Sequence, residues 1–131
     1  MHNILRFLSR TIVLPLMLLA CSAPEQAVTS LDADAFSARV GRDAAQLVDV
    51  RTAGEYAEGH IAGSRNLDWT SGQLESRIGE LDKSKPVLLY CASGRRSAAA
   101  RDYLQQQGFT EVVDLAGGIN AWAAAGKETE R

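Results

Sequence analysis

The chain has 131 residues, of which 46% are hydrophobic, 23% charged and 6% aromatic, so it suits one globular domain and is too short for two. The chain has 14 basic and 16 acidic residues, and this balance excludes a broad basic surface. We therefore expect no nucleic-acid partner. Two cysteines and two histidines are too few for the repeated Cys/His pairs of a structural zinc site, so neither a metal nor a cofactor is expected.

Residues 1–20 have the pattern of a secretory signal peptide. Arg6 and Arg10 precede an apolar run from Thr11 to Ala20, and the segment has no acidic residue. The run is about half of the ~20 apolar residues that a membrane-spanning helix needs, so we predict removal of the segment rather than a permanent span. A buried N-terminal helix is the structural alternative.

The end of this segment, Leu18 to Cys21, resembles the lipobox of bacterial lipoproteins. In that class the chain is cut before the cysteine, whose sulfur carries a diacylglycerol. Cys21 is therefore the predicted lipidation site, and the lipid is the only membrane contact that we expect. Ser22 directly after it implies a periplasmic protein anchored to the outer membrane. Residues 21–29 are the lipidated cysteine and a polar tether, with ordinary signal cleavage nearby as the alternative.

Helical and extended patterns alternate after the tether, without internal repeats. Thr29 or Ser30 is predicted to cap a first helix that runs to about Val40. The apolar run at residues 46–50 predicts a buried strand, and a long polar loop is expected over residues 51–60.

A second helix and a central strand are predicted next. A short extended segment at residues 65–67 comes first. Leu74, Ile78 and Leu81 then recur at helical spacing and indicate one apolar helix face. Residues 86–90, a short apolar run between two turns, have the pattern of a central strand.

The last third of the chain repeats this alternation. A helix is predicted over residues 97–107, with Gly108 as its stop. A strand at 111–115, a Gly-Gly turn at 117–118 and a short helix at 119–125 follow.

Strands that alternate with helices predict an α/β fold. We expect a small, mostly parallel sheet flanked by helices on both faces, spanning residues 30–126, followed by a polar tail at 127–131. In such sheets reactive groups gather beyond the carboxyl ends of the strands.

The candidate chemistry lies in one loop between a predicted strand and a predicted helix, Cys91-Ala92-Ser93-Gly94-Arg95-Arg96-Ser97. A tight loop that enters a helix turns several backbone N–H groups toward one point, where the helix end adds about half a positive charge. These groups and the two arginines are expected to lower the pKa of the thiol from about 8.5, which makes Cys91 the candidate nucleophile. The alternatives are a buried structural cysteine and two solvated surface arginines.

This loop resembles the active-site loop of the rhodanese-like sulfurtransferases, which runs Cys-x-x-Gly-x-Arg followed by Ser. Three further segments carry the same resemblance, namely Asp49-Val50-Arg51, Glu55-Tyr56 with Gly59 to Ser64, and Gly117 to Trp122. The resemblance covers about residues 30–126, and with the export signal it indicates the single-domain periplasmic members of the family.

The resemblance implies a transfer of sulfane sulfur. The Cys91 thiolate would take the outer sulfur of thiosulfate or a related donor and hold it as a persulfide, which cyanide or a thiol then removes. The N–H groups from Ala92 to Arg96 would stabilise the terminal sulfur, while Arg95 or Arg96 would attract the anionic donor.

Four other side chains have weaker assignments. Asp49 and Arg51 leave a strand end near the loop and are candidates for supporting the pocket, with a structural ion pair as the alternative. We interpret His60 and Trp122 as structural, because the proposed transfer needs no proton shuttle and the tryptophan suits the core.

Two other functions use the same fold. A persulfide relay or binding module would pass the sulfur to a partner protein instead of a small acceptor, or the thiol would act as a redox sensor. Cysteine phosphatases of the family carry five residues between Cys and Arg, whereas only four separate Cys91 from Arg96. The shorter loop favours a single sulfur atom over a phosphate group.

Overall fold

A five-stranded sheet forms the centre of the computed structural model, which describes residue 27 and residues 29–131. The strands are β1 (Ser30–Leu31), β2 (Gln46–Asp49), β3 (Arg65–Asn66), β4 (Val87–Tyr90) and β5 (Val112–Leu115). They pair in parallel in the order β1-β5-β4-β2-β3, so β4 is central. The predicted α/β class with a parallel sheet is therefore confirmed.

The predicted signal peptide, Cys21 and most of the tether lie outside the described residues. Within the part that is described, no helix combines the length and the apolar character needed to cross a membrane.

The sheet is covered on both faces by helices. They are α1 (Ala33–Arg39), α2 (Ala53–Glu58), α3 (Gln73–Ser76), α4 (Arg95–Gln106) and α5 (Gly118–Ala124), with a 3₁₀ turn at Ile78–Glu80. Because successive strand residues point to opposite faces, Val87 and Leu89 of β4 join one apolar cluster and Leu88 and Tyr90 the other. The first cluster includes side chains of α3 and α4, and the second those of α1 and α5. All four β4 residues are buried, which explains their uninterrupted apolar run.

The first helix starts later than predicted, because its cap is Asp32. The Asp32 carboxylate accepts a hydrogen bond of 2.9 Å from the Ala35 N–H. The expectation that Thr29 or Ser30 caps this helix is wrong, since their backbone is used in the sheet instead. The Thr29 carbonyl accepts the N–H of Asp114 at 3.0 Å, and Ser30 lies in β1 beside β5.

Helix α2 occupies the segment predicted to be a polar loop. Thr52 and Glu55 form a capping box in which the side chain of each accepts a backbone N–H of the other. The predicted second helix is also interrupted, because Arg77 separates α3 from the 3₁₀ turn with non-helical backbone angles. Gly79, a poor helix former, lies in the second part.

The polar tail at residues 127–131 is hydrogen-bonded to the domain. His60 and Glu130 exchange two backbone hydrogen bonds of 2.8 and 2.9 Å. The indole N–H of Trp122 donates to the Glu128 carbonyl at 2.9 Å. The tail therefore joins α5 to the segment that follows α2.

Candidate active site

Cys91 stands at the carboxyl end of the central strand, where β4 gives way to the loop that enters α4. The residue is only 1% exposed, and one side of it belongs to an apolar cluster that includes Leu89 and Ala100. The low exposure of Cys91 agrees with the alternative interpretation, a buried structural cysteine. Burial alone does not decide its reactivity, because the groups on its other side are polar.

Hydrogen-bond donors of the loop converge on the Cys91 sulfur. The Gly94 N–H donates to Sγ at 3.1 Å, and the buried Ser97 hydroxyl lies 3.5 Å from Sγ. Burial raises the pKa of the thiol, but hydrogen bonding with the Ser97 hydroxyl and with the N–H groups of Ser97, Gly94 and Ser93 outweighs it and lowers the pKa overall. The predicted direction is confirmed, and its main source is hydrogen bonding rather than the guanidinium groups.

The loop takes this shape through a glycine at the start of α4. Gly94 has φ of +97°, a left-handed conformation that strains other residues. A Cβ at this position would approach the Gly117 nitrogen to 3.2 Å, so the loop and the Gly-Gly turn pack against each other without side chains between them.

Two backbone hydrogen bonds anchor the loop to α5. The Ile119 N–H donates to the Cys91 carbonyl at 2.8 Å, and the Asn120 N–H donates to the Ala92 carbonyl at 3.1 Å. Gly118 lies so close that a Cβ there would collide with both carbonyl groups. The sequence predicts only a turn at this Gly-Gly pair, whereas in the fold its close approach lets Ile119 and Asn120 bind the two carbonyls.

The two loop arginines have different environments. Arg96 forms two hydrogen bonds of 2.8 and 2.9 Å with the Glu55 carboxylate of α2. The hydrogen bond from Arg96 is the main reason that the pKa of Glu55 is lowered to about 2, although partial burial opposes it. Arg95 is exposed and forms no salt bridge within the described part of the chain. Arg96 is therefore held by its ion pair with Glu55, whereas the charge of Arg95 is unmatched among the described residues.

Asp49 and Arg51 pair with each other. The Arg51 guanidinium contacts the Asp49 carboxylate at 2.7 to 3.0 Å and donates to the Gly59 carbonyl at 2.7 Å, with both residues buried. Neither lines the cleft described below. Asp49 and Arg51 therefore form an ion pair that holds the segment after α2. This arrangement matches the structural alternative and not the support of the pocket.

His60 and Trp122 lie where a structural role predicts them. The His60 ring stacks on the Tyr56 ring at 3.7 Å between centroids, and its Nδ1 lies 2.9 Å from the Tyr56 carbonyl. Trp122 is buried in the cluster that α1 and α5 share. Neither side chain contacts the Cys91 sulfur in the described hydrogen-bond network.

A cleft of about 500 Å³ opens beside the loop. It is lined by Trp69, Thr70, Glu75, Arg95, Arg96 and Ala99. Of these, only Arg95 and Arg96 were predicted. The first three follow the carboxyl end of β3, where the rule for parallel sheets places ligand contacts, and Ala99 lies in α4. Across the described residues, no three His, Cys, Asp or Glu side chains gather in a group that could hold a metal ion.

Comparisons with known proteins agree with this fold. The family model of the rhodanese-like domain matches residues 32–125. A sulfurtransferase of Allochromatium vinosum is 39% identical over 100 residues, which are 76% of this chain and 92% of that protein. The thiosulfate sulfurtransferase GlpE of Stutzerimonas stutzeri is 41% identical over 78 residues, or 60% of this chain and 70% of that protein. A rhodanese-related protein of Thermoplasma volcanium superposes with a TM-score of 0.70 at 32% identity, over 78% of this chain and 97% of that one.

The role of Ser97 can be tested by titrating the thiol. In a Cys21→Ser background Cys91 is the only thiol, and we expect its rate of alkylation by iodoacetamide to follow a pKa below the ordinary value of about 8.5. Ser97→Ala removes the hydroxyl whose hydrogen bonding with the sulfur lowers the pKa of the thiol, and it should raise that pKa. Ser93→Ala is the matched control, because it changes an exposed hydroxyl and keeps the backbone N–H. An equal pKa in the Ser97→Ala and parent proteins would contradict the assignment.

The Glu55–Arg96 pair should make stability depend on pH. The pKa of Glu55 is about 2 in the folded protein, below its ordinary value of 4.5, so its stabilisation is complete above pH 4.5 and is lost as the pH falls toward 2. We expect Glu55→Gln to lower the free energy of unfolding by roughly 1 kcal/mol near neutral pH, because the pair is partly exposed. Urea unfolding at a series of pH values measures the difference, which should shrink below pH 4.5. A constant difference at all pH values, or the same loss in Glu58→Gln, would contradict the pair's contribution.

Proposed function

The chain belongs to the rhodanese-like family, whose relatives support sulfurtransferase activity in general, and we propose that it moves sulfane sulfur through a persulfide on Cys91. Thiosulfate, or a related anionic donor, supplies the sulfur, and cyanide or a thiol accepts it. The observation that carries the proposal is the Gly94 N–H at 3.1 Å from the Cys91 sulfur, in a loop that lowers the pKa of the thiol. No cofactor enters the proposed reaction.

The first step is a nucleophilic attack by the Cys91 thiolate on the outer sulfur of thiosulfate. A sulfur–sulfur bond forms on Cys91, the bond within thiosulfate breaks, and sulfite leaves with its electron pair. The total charge is unchanged, so the step needs no general acid. The N–H groups that hydrogen-bond to Sγ before the reaction would then stabilise the negative outer sulfur of the persulfide. The exposed Arg95 would draw the anionic donor toward the loop.

The second step returns the enzyme to its starting form. Cyanide or a thiolate attacks the outer sulfur, a new bond to carbon or sulfur forms, and the Cys91 thiolate leaves with the electrons of the broken bond. A thiolate of low pKa leaves faster, so the hydrogen bonds that activate the nucleophile also assist its departure. The same loop can therefore serve both halves of the reaction.

The geometry favours sulfur chemistry over phosphate chemistry. Arg96, which comes one residue earlier than the phosphatase arginine, already forms a bidentate pair with Glu55. A phosphate group would need that guanidinium and a loop with one more residue. The relay alternative differs only in the acceptor, since a partner protein would then remove the persulfide sulfur.

We also propose that the protein is exported and anchored to the outer membrane through a lipid on Cys21. The supporting features are the positive charges and apolar run of residues 1–20, the four-residue lipobox that ends at Cys21, and the Ser22 that follows it. Cys91 would then be an unpaired thiol in an oxidising compartment. A dedicated sulfur-carrying role accounts for such a thiol.

The persulfide can be detected by intact-mass spectrometry. After brief exposure to thiosulfate, the protein should gain the mass of one sulfur atom, and cyanide should remove it. Cys91→Ser should abolish both the mass gain and thiosulfate:cyanide transfer, while an unchanged circular dichroism spectrum shows that the fold survives. Cys21→Ser is the matched control, because it removes the other cysteine and should still gain the sulfur.

Three outcomes would overturn parts of this proposal. A sulfur gained by the Cys91→Ser variant would remove Cys91 from the mechanism. Hydrolysis of an aryl phosphate without any sulfur gain would favour the phosphatase. A persulfide that cyanide and small thiols leave intact would favour the relay.

The anchor is tested in cells that make the full chain. We expect the protein to sediment with the outer membrane and to carry acyl mass on an N-terminal Cys21, because three lipid chains bury enough methylene groups to hold it there. Cys21→Ser should release the protein from the membrane fraction. An N-terminus at another residue without acyl mass would contradict the lipid anchor and favour ordinary signal cleavage.

A further inference from the structure

We propose that residues 127–131, which we call the clasp, position the Cys91 loop by holding α5 and α2 together. Trp122 and Glu130 are the positioning residues. Neither hydrogen-bonds to the sulfur in the described network, and each acts through the element that it fixes. The effect on sulfur transfer rests on the proposed function, whereas the effect on the Cys91 thiol does not depend on it. The sequence predicts only a polar tail at the clasp.

The start of the clasp is bound to α5. The Trp122 indole N–H donates to the Glu128 carbonyl at 2.9 Å, and the Lys127 N–H donates to the Trp122 carbonyl at 3.2 Å. The Lys127 ammonium also lies 3.0 Å from the Asp34 carboxylate of α1. The clasp is therefore attached to the helix that anchors the Cys91 loop.

The other end of the clasp is bound to α2 and to the segment that follows it. Glu130 and His60 exchange backbone hydrogen bonds of 2.8 and 2.9 Å. The Arg131 guanidinium donates to the carbonyl of Glu58, the last residue of α2, at 3.1 Å. This end of the clasp is therefore attached to the helix that holds Arg96.

Helices α5 and α2 are the two supports of the Cys91 loop. The first supplies the N–H groups that bind the loop carbonyls, and the second supplies the carboxylate that binds Arg96. Among the described residues, no hydrogen bond or salt bridge joins α2 directly to α5. Ile61 and Trp122 share an apolar cluster, but apolar packing is not directional, whereas hydrogen bonds fix distance and angle. The clasp is therefore the directional link between the two supports.

The position of α5 affects how well the loop donates to the sulfur. A hydrogen bond weakens steeply as its angle departs from linearity, and the Gly94 N–H already lies 3.1 Å from Sγ. A displacement of the anchored carbonyls turns the peptide units that carry the donors. Four of the five clasp residues are exposed, and an exposed segment opens at a lower free energy than the core. Loss of the clasp would therefore weaken the activation of the thiol while the sheet stays folded.

The pKa of the Cys91 thiol in the full chain tests the clasp. In a Cys21→Ser background Cys91 is the only cysteine, so the rate of alkylation by iodoacetamide against pH gives its pKa. Glu130→Pro removes the N–H that binds the His60 carbonyl, and Trp122→Phe removes the indole donor but keeps an aromatic ring in the core. We expect each substitution to raise the pKa of the thiol by about half a unit, the size that follows from weakening one hydrogen bond to the sulfur.

Hydrogen exchange measures the anchoring of the loop directly. The Ile119 and Asn120 amides are protected by their bonds to the loop carbonyls, and both should exchange roughly threefold faster, or more, in Glu130→Pro than in the parent protein. The Gln46 N–H is the internal control, because it donates to the Pro86 carbonyl at 2.8 Å at the amino ends of the strands, and its exchange rate should not change. This measurement needs one variant only, so the test stands even when the tryptophan variant fails to fold.

Two control variants separate the backbone link from other causes. Glu130→Ala keeps both backbone hydrogen bonds with His60 and removes only an exposed carboxylate, so the pKa of the thiol should equal that of the parent protein. Glu111→Gln breaks the ion pair with Arg39 near the amino ends of the strands and should lower stability without changing that pKa. A pKa shift in Glu111→Gln as large as that in Glu130→Pro would indicate general loosening and would overturn the positioning role.

Sulfur loading from thiosulfate is a separate readout. At a pH below the pKa of the thiol, a rise of half a unit lowers the maximal loading rate only about twofold, because a more basic thiolate is also a better nucleophile. The half-saturating thiosulfate concentration should not change, since no clasp residue lines the cleft that Arg95 faces.

The outcomes distinguish the clasp from the proposed function. Absence of a persulfide in the parent protein would refute the proposed function, and the pKa and exchange measurements would still decide the positioning role. An unchanged pKa of the thiol together with unchanged exchange of the Ile119 and Asn120 amides in Glu130→Pro would refute the positioning role alone.

Discussion

Two backbone hydrogen bonds from α5 determine what the Cys91 loop can do. The N–H groups of Ile119 and Asn120 hold the carbonyls of Cys91 and Ala92, and the Gly94 N–H that follows them donates to the sulfur. A peptide unit points its carbonyl and its N–H to opposite sides, so the anchored Ala92 carbonyl orients the Ser93 N–H, one of the groups that lower the pKa of Cys91. The close approach of Gly118 makes this anchoring possible, since any side chain there would strike the loop. The conformation of the loop at the carboxyl end of β4 thus depends on the Gly-Gly turn that follows β5.

Burial and hydrogen bonding have opposite effects on the pKa of the Cys91 thiol. Cys91 is nearly inaccessible and packs on apolar neighbours, which by itself would favour the neutral thiol. The same low-polarity surroundings strengthen each hydrogen bond to a thiolate, because little water competes for the sulfur. The hydrogen bonds of the loop outweigh burial and lower the pKa of the thiol. The charge is stabilised by fixed dipoles, which need no rearrangement when the sulfur attacks or leaves.

Helix α2 gives the two arginines different environments, because only Arg96 pairs with its Glu55. Its capping box positions Glu55, and the Glu55 carboxylate accepts two hydrogen bonds from Arg96. Arg96 is thereby a positioning residue that ties α4 to α2. Arg95 keeps its charge unmatched and faces the cleft with Glu75. One loop therefore carries an arginine fixed by an ion pair, a thiol of lowered pKa and an arginine with an unmatched charge.

Local patterns in the chain were sufficient to predict the alternating strands and helices, the parallel sheet and the loop that carries Cys91, because burial on both faces and tight turns leave periodic and compositional signatures. The capping box of α2 has a local signature at Thr52 and Glu55 as well, although the polar character of the segment predicts a loop. The assignments of residues 1–20 and Cys21 remain predictions. Contacts between distant segments were decided only by folding: Glu55 meets Arg96 across 41 positions, Gly118 supports Ala92, and Trp69 and Glu75 share a cleft with Arg95. Such partners have no fixed spacing, since the order in which strands join the sheet determines which loops become neighbours.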